Sequence, residues 1–342
     1  MKAIRAFSIL LGILMLDSAL QTVDLRGASQ DASAAPAKTT SAESVSPTQS
    51  LDPSPHLDSP RTNSLGVVLI RIPGHSVWIA AHETRVQEFT AFTLSTGYQT
   101  EPVRWKMRYG GWEQRDWRQP GFPQTPSHPV IFVSYIDAEQ FCQWLTRVER
   151  TNGLITARES YRLPKDEEWS LAVGSSRYPW GARQSIANST PAMASPGGHL
   201  ASDRLVDLKA FPPPLNAGNY AGSEFQDPNS SRQRTLRDYR DPFPQTAPVG
   251  SFPPNALGIF DLGGNVAEWC LDWYHRDLLS PELEDKVPFY NNDGGGRQYR
   301  VVRGASWIDS HPALLRADCR FFEFPEQRSD HIGFRIVLTG QP

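Results

Sequence analysis

The stretch Asn255–Tyr274 concentrates more candidate chemistry than any other part of the chain. Asp261, Glu268 and Asp272 bracket Gly263-Gly264-Asn265, residue types that adopt φ > 0 at little cost. A tight loop that folds carboxylates and backbone carbonyls around one point suits a hard cation such as Ca²⁺. The same residues also describe a strand, a Gly-Gly turn and a second strand with its acids in water. Thiol chemistry has little to work with. Cys142, Cys270 and Cys319 lie far apart and show no CxxC-type spacing, which excludes the usual zinc and dithiol motifs. They allow one disulfide and one free thiol without selecting the pair. The eight histidines are scattered, none in paired helical spacing with a nearby acid.

The scaffold that must position these groups is rich in loops. A chain of 342 residues is long enough for one large or two medium domains. Its 29 prolines and 25 glycines argue against a helical bundle. Ten tryptophans suit a fold whose irregular loops are pinned by large aromatics to a small core. A net charge of −3 gives no argument for a nucleic-acid partner or for an anionic membrane surface.

Lys2 and Arg5 precede the apolar run Ala6–Leu16, which Asp17 ends. That run has the length of a signal h-region and is too short to span a bilayer comfortably. The cleavage site is poor, so an uncleaved anchor stays open as the chain's one route to a membrane. No cysteine precedes Cys142, which argues against a lipoprotein. Residues 1–28 are therefore expected to be a signal peptide or N-terminal anchor, and the protein to be exported, periplasmic or extracellular. Residues 29–64, dominated by Ser, Ala, Pro, Thr and Asp, cannot bury enough apolar surface to offset their ordering entropy and are expected to be a disordered linker. Residues 65–342 form the expected domain.

Within it, Val67–Ile70 and Val77–Ile79 flank Pro73-Gly74-His75 as an opening hairpin. Thr84 and Gln87 have capping-box spacing ahead of a helix that carries Val86, Phe89 and Thr93 on one face and can end at Gly97. Val130–Val133 has the composition of a buried strand. Ser134 and Asp137 then open a helix with Ala138, Phe141, Cys142, Leu145 and Val148 at helical spacing. Another short helix follows Pro164 and closes at Gly174. From Ala182 to Pro254 no periodicity survives, and a loop of that length is functional or held by something other than a core. Tyr299–Arg303 and His331–Leu338 are expected strands.

Several stretches together resemble the formylglycine-generating enzyme family, also called the sulfatase-modifying-factor domain. They are His128–Leu145, Tyr161-Arg-Leu-Pro-Lys-Asp-Glu-Glu-Trp169, Tyr178-Pro-Trp-Gly181, Ala247–Asn255, the Asn255–Tyr274 stretch, Arg300-Val-Val-Arg-Gly-Ala-Ser-Trp307 and His331-Ile-Gly-Phe-Arg-Ile-Val337. Each is weak alone; their shared order from about Leu65 to Thr339 carries the resemblance. It implies an α+β domain, a variant of the C-type lectin fold with little regular secondary structure, stabilised by Ca²⁺. By position it implies one calcium site from the side chains of Asn219 and Asp241 with the carbonyls of Tyr220 and Phe243. It implies a second from the side chains of Asp261 and Glu268 with the carbonyls of Gly264 and Val266. The Gly-Gly-Asn register fixes the second more tightly than the first.

Enzymes of this family oxidise a substrate cysteine to formylglycine with copper held by two thiolates, ligands that Cu(I) favours. Here the two expected thiolate positions are Asp309 and Leu314, so copper is not expected. Cys319 has no second cysteine near it. Two further departures are Ala267, where many relatives carry tryptophan, and Lys165, in place of a threonine, which should weaken a helix cap by about 1 kcal/mol. Ser306 and Trp307 match positions that line the family's substrate groove. With Asp309 and His311 they are the groove candidates, and Asp309 with His311 could also act as an acid/base pair or as two polar residues of an exposed loop. Arg303 and Arg335 have the sequence setting of arginines that pair with buried acids.

The leading reading is a non-catalytic calcium-binding module whose groove takes a peptide, protein or glycan. The alternatives are a formylglycine-generating oxidase, or a related oxidation, and a structural role in surface assembly. Fold resemblance alone supports the enzyme alternative.

Overall fold

In the computed structural model, residues 59–106, 110–181, 213–225, 235–274 and 298–340 are described. The expected signal, most of the expected linker, and residues 182–212 and 226–234 of the Ala182–Pro254 loop lie outside them. Among the described residues no helix is long and apolar enough to cross a membrane.

The opening hairpin forms as its alternating apolar residues dictate. Strands β2 (Val68–Arg71) and β3 (Val77–Ala80) pair antiparallel. A short β1 (Arg61–Thr62) pairs with β2, so order begins inside the segment assigned to the linker. Backbone pairing and the Arg61–Glu159 ion pair at 2.6 Å hold it without apolar side chains. In chain order follow α1 (Val86–Thr96), the hairpin of β4 (Val103–Lys106) and β5 (Trp112–Arg115), α2 (Tyr135–Thr151), β6 (Ser160–Arg162) and α3 (Asp166–Val173). The chain closes with β7 (Ala267–Trp273), β8 (Arg300–Arg303), β9 (Arg320–Glu323), β10 (Ile332–Gly333) and β11 (Val337–Thr339).

The five-stranded sheet has the order β1-β2-β3-β11-β6, and the four-stranded sheet the order β10-β7-β8-β9. Only the β10–β7 pairing in the latter is parallel. The single strand expected over His331–Leu338 is therefore two, because one run of chain leaves the second sheet and enters the first. The core between α1, α2 and the sheets is aromatic, with Phe89, Phe92, Phe141 and Phe334 in mutual edge or stacked contact.

Helix α2 starts as the sequence indicates. Asp137 N–H donates to Ser134 Oγ at 3.1 Å, and Ser134 N–H donates to Asp137 Oδ2 at 2.8 Å. Helix α1 is capped one residue later than expected, by Arg85, whose N–H donates to Glu88 at 2.6 Å. At α3 the N–H of Lys165 donates to Glu168 at 2.8 Å, which keeps half of the capping box that the lysine would have cost. Val130–Val133 is fully buried but is not a strand. Phe132 has φ 54°, which breaks the extended run, and the amides of Val130 and Phe132 donate instead to Thr84 O and Ser329 O, each at 2.9 Å.

Candidate functional site

The Asn255–Tyr274 stretch forms the turn its composition suggests. Asp261 and Asn265 have φ 56° and 63°, and Gly264 has φ 146°. A Cβ on Gly264 would lie 3.0 Å from both the N and the O of Asn219, so glycine lets two loops touch. Asn265 is the hub of that contact. Its Nδ2 donates to Glu83 Oε2 at 2.7 Å, its Oδ1 accepts from Ala247 N–H at 2.8 Å, its N–H donates to Asn219 O at 2.9 Å, and its carbonyl accepts from Trp307 N–H at 2.9 Å. Asp272 turns away to cap α3, accepting from Asp166 N–H at 2.7 Å.

Around the second expected calcium site, Asp261 accepts from Gly250 N–H at 2.7 Å through one oxygen. Burial pushes its carboxyl up to about 6. Glu268 is committed further. Arg335 Nε and Nη2 donate to its two oxygens at 2.7 and 2.6 Å, and the Trp169 indole donates at 3.0 Å. Of four carboxylate lone pairs, these bonds leave one, on Oε1. Glu83, fully buried, adds a third carboxyl, raised by burial and by Asp261 and Glu268. Three acids thus face one guanidinium, and that surplus of negative charge fits a cation beside Asp261. Asp261 and Gly264 also line an open pocket of about 390 Å³. The donors fit calcium, with Glu268 able to offer it a single position.

The first expected site contains an unpartnered oxygen. Asn219 is 1 % exposed, and its Oδ1 has no hydrogen-bond partner, an arrangement that costs free energy unless something fills it. Its Nδ2 is held elsewhere, on Gln245 O at 2.7 Å. Asp241 accepts from Tyr220 N–H at 3.2 Å and from Phe243 N–H at 2.8 Å. Burial first, and then the neighbouring Glu224 carboxylate, push Asp241 up to about 7 against the Phe243 amide. An orphaned amide oxygen on the residue before the amide that binds the Asp241 carboxylate is the kind of donor a hard cation uses.

The groove candidates divide. Ser306 and Trp307 are buried, at 0 % and 2 % exposure, so they lie beneath the surface and do not line an open groove. The Trp307 indole donates to Asp330 O at 2.9 Å, and its ring packs on Phe122 and Phe225. Asp309 and His311 are half-buried. One Asp309 oxygen accepts from both Ser306 N–H and Ser306 Oγ–H, at 2.8 and 2.7 Å. Burial raises Asp309, with Ser306 and His331 opposing. His311 accepts from Ala313 N–H at 3.3 Å. The structure puts a different histidine electrostatically close to Asp309: His331, whose Nδ1 is 2.9 Å from Asp330 Oδ1. Burial lowers His331, but Asp330, Asp309 and Glu323 outweigh it and hold its pKa above the ordinary value.

Sequence reasoning missed Glu83, Glu224, Glu323, Asp330 and His331, and no local spacing marks them. Arg303 and Arg335 are structural, pairing with Asp166 and Glu268. All three cysteines are free and buried, with their thiols pushed up by burial. Among the described residues no three His, Cys, Asp or Glu side chains form a metal-binding group, so any cation site here must draw on amide and carbonyl oxygens.

A mixed α+β domain with few helices, its loops tied by buried asparagine and carboxylate networks, defines the class. Residues 69–339 match the Sulfatase-modifying factor enzyme 1-like domain, and the chain belongs to that family; its fold is consistent with the family's C-type-lectin-like architecture. It is 28 % identical over 233 residues to a formylglycine-generating enzyme of Streptomyces coelicolor, covering 65 % of this chain and 57 % of that one. It is 29 % identical over 241 residues to the mouse inactive C-alpha-formylglycine-generating enzyme 2, covering 66 % of this chain and 56 % of that one. The chain thus spans little more than half the length of either. Among solved structures, PvdO of Pseudomonas aeruginosa aligns at TM-score 0.47 and 22 % identity, over 77 % of this chain and 80 % of that one.

Proposed function

We propose that the protein is an exported, non-catalytic member of the family, stabilised by Ca²⁺, which binds a peptide, protein or glycan partner at the surface around Asp309 and His311. The observation that carries this reading is the use made of Asp309. The residue at an expected thiolate position is a carboxylate clamped by the amide and hydroxyl of Ser306; Leu314, at the other, offers no donor. The sequence comparisons are neutral, because active and inactive relatives match equally well. The orphaned Asn219 Oδ1 and the charge surplus around Glu83, Asp261 and Glu268 support the calcium half of the reading.

Both halves are testable on the purified chain. A Cys-x-Pro-x-Arg peptide incubated with the protein, Cu(I) and oxygen should keep its mass, and conversion of its thiol to an aldehyde would overturn the non-catalytic reading. Thermal unfolding in Ca²⁺ should lie above that in EDTA, because a ligand at one hundred times its Kd adds about 2.7 kcal/mol. Identical transitions in the two buffers would dismiss calcium.

A further inference from the structure

Glu224 has no part in the ligand set that the family resemblance implies, yet the fold brings it to Asp241. The segments 219–225 and 236–243 are laced together by their backbones. Ser223 N–H donates to Tyr239 O at 3.0 Å, Leu236 N–H to Ala221 O at 2.7 Å, and Tyr220 N–H to the Asp241 carboxylate at 3.2 Å. Within that lacing, Glu224 folds back over its own backbone. Its Oε1 accepts from Gly222 N–H and its Oε2 from Asp241 N–H, both at 3.1 Å. Through the bond from the Asp241 amide, the Glu224 carboxylate sits against the backbone of the residue whose carboxylate belongs to the expected site. Gly222 is what admits the fold-back, since a Cβ there would lie 2.6 and 2.7 Å from the Glu224 oxygens and 2.8 Å from Tyr239 O.

Two carboxylates drawn together on neighbouring loops repel each other unless a positive charge lies between them. Among the described residues no basic side chain is bonded to either; their partners there are backbone amides. Arg237, in the same segment, pairs with Asp238 at 3.6 Å and is 95 % exposed. Asn219, whose Oδ1 has no partner and whose side chain is 1 % exposed, immediately precedes Tyr220, the residue whose N–H donates to the Asp241 carboxylate. A proton bridging the two carboxyls leaves that amide oxygen unsatisfied; a cation that needs six to eight oxygens satisfies it.

We infer that Glu224 is a further ligand of the Asn219–Asp241 cation site, making it a two-carboxylate site for Ca²⁺. This rests on the calcium reading above, and the experiment separates the two. Calcium is titrated calorimetrically into the full chain, and the binding step of this site is the one that disappears in Asn219→Ala. Glu224→Gln should weaken that step about tenfold, since affinity follows the number of ligand charges. Thermal unfolding gives the second readout. In EDTA, Glu224→Gln should melt at or above the wild type, because the change relieves repulsion between carboxylates; in saturating Ca²⁺ it should melt below. Gly222→Ala, which displaces the carboxylate without removing it, should also weaken the step.

A wild-type chain that binds no calcium overturns the calcium reading and this assignment with it. A wild type that binds, beside a Glu224→Gln chain of equal affinity, overturns the assignment alone. So does an equal loss of melting temperature in both buffers, which would mean that Glu224 only holds the loop through its hydrogen bonds to Gly222 and Asp241.

Discussion

Replacing Glu268 with Gln exchanges one carboxylate oxygen for an amide nitrogen at the centre of the fold. Glu268 is 1 % exposed and accepts three hydrogen bonds, two from Arg335, whose own exposure is 0 %. Glutamine keeps one acceptor oxygen but turns an NH₂ toward a guanidinium or indole donor. Two donors cannot pair, and a buried cation loses its principal counter-charge. Removing one partner of a buried ion pair costs about 3–5 kcal/mol. Part of that is offset, because Arg335 still donates to Ala80 O at 3.1 Å and to Phe260 O at 2.9 Å. We therefore expect Glu268→Gln to lose about 3 kcal/mol, or roughly 6–12 °C of Tm for a domain of this size. The assay is urea and thermal unfolding, run in parallel in Ca²⁺ and in EDTA. If Glu268 also lends its last lone pair to a cation, the loss in Ca²⁺ will exceed that in EDTA. A loss below about 1 kcal/mol in both buffers would refute the reasoning, because Arg335 would then be adequately balanced by Glu83, Asp261 and the two carbonyls.

Two other expectations follow from the buried titratable groups. The raised pKa of His331 means that its protonated form is favoured by folding. Its contribution is complete below the unfolded value near 6.5 and is lost as pH rises through the folded value; His331→Gln should flatten the fall of stability above pH 6.5, and an unchanged slope would place that titration elsewhere. Cys142, Cys270 and Cys319 are buried, and Cys319 is pushed up to about 12, so a thiol reagent should label none of them in the native state and all three in denaturant. Rapid native labelling would show that one of them is accessible.

What was legible in the sequence follows from how local its cause is. The β2–β3 hairpin, α2 and α3 are specified by alternation, caps and helical spacing within a dozen residues. The α1 cap falls one residue later because Glu88 reaches back to the Arg85 backbone N–H and pairs with its guanidinium, without the hydroxyl acceptor that Thr84 was expected to supply. Val130–Val133 has the composition of a strand, and nothing local announces that Phe132 takes φ 54°; that angle is set by docking against residues near 84 and 329. The site behaves likewise. The turn Asp261–Asn265 is encoded by its glycines and asparagine. Its charge balance depends on Glu83, about 180 positions away, and on Arg335, about 70 positions away. The approach of Glu224 to Asp241 depends on a fold-back over Gly222 that no motif records.

The exchange of an expected thiolate for Asp309 alters more than the metal preference of that position. A thiolate ligand must have its lone pairs free, which leaves its loop to be held by other contacts. Here Asp309 holds the loop itself: its carboxylate accepts from Ser306 N–H and Oγ–H, its N–H donates to Ser306 O at 3.0 Å, and its carbonyl accepts from Ala221 N–H at 3.1 Å. That last bond ties the loop to the residue next to Tyr220, whose amide holds Asp241. If Ca²⁺ binds at Asn219 and Asp241 as proposed, loading or emptying that site would bear on the Asp309 surface through two consecutive residues of backbone. On this reading a cation would not take part in chemistry at the groove but would set the position of its edge, and partner binding at Asp309 would depend on calcium with no ligand shared between the two.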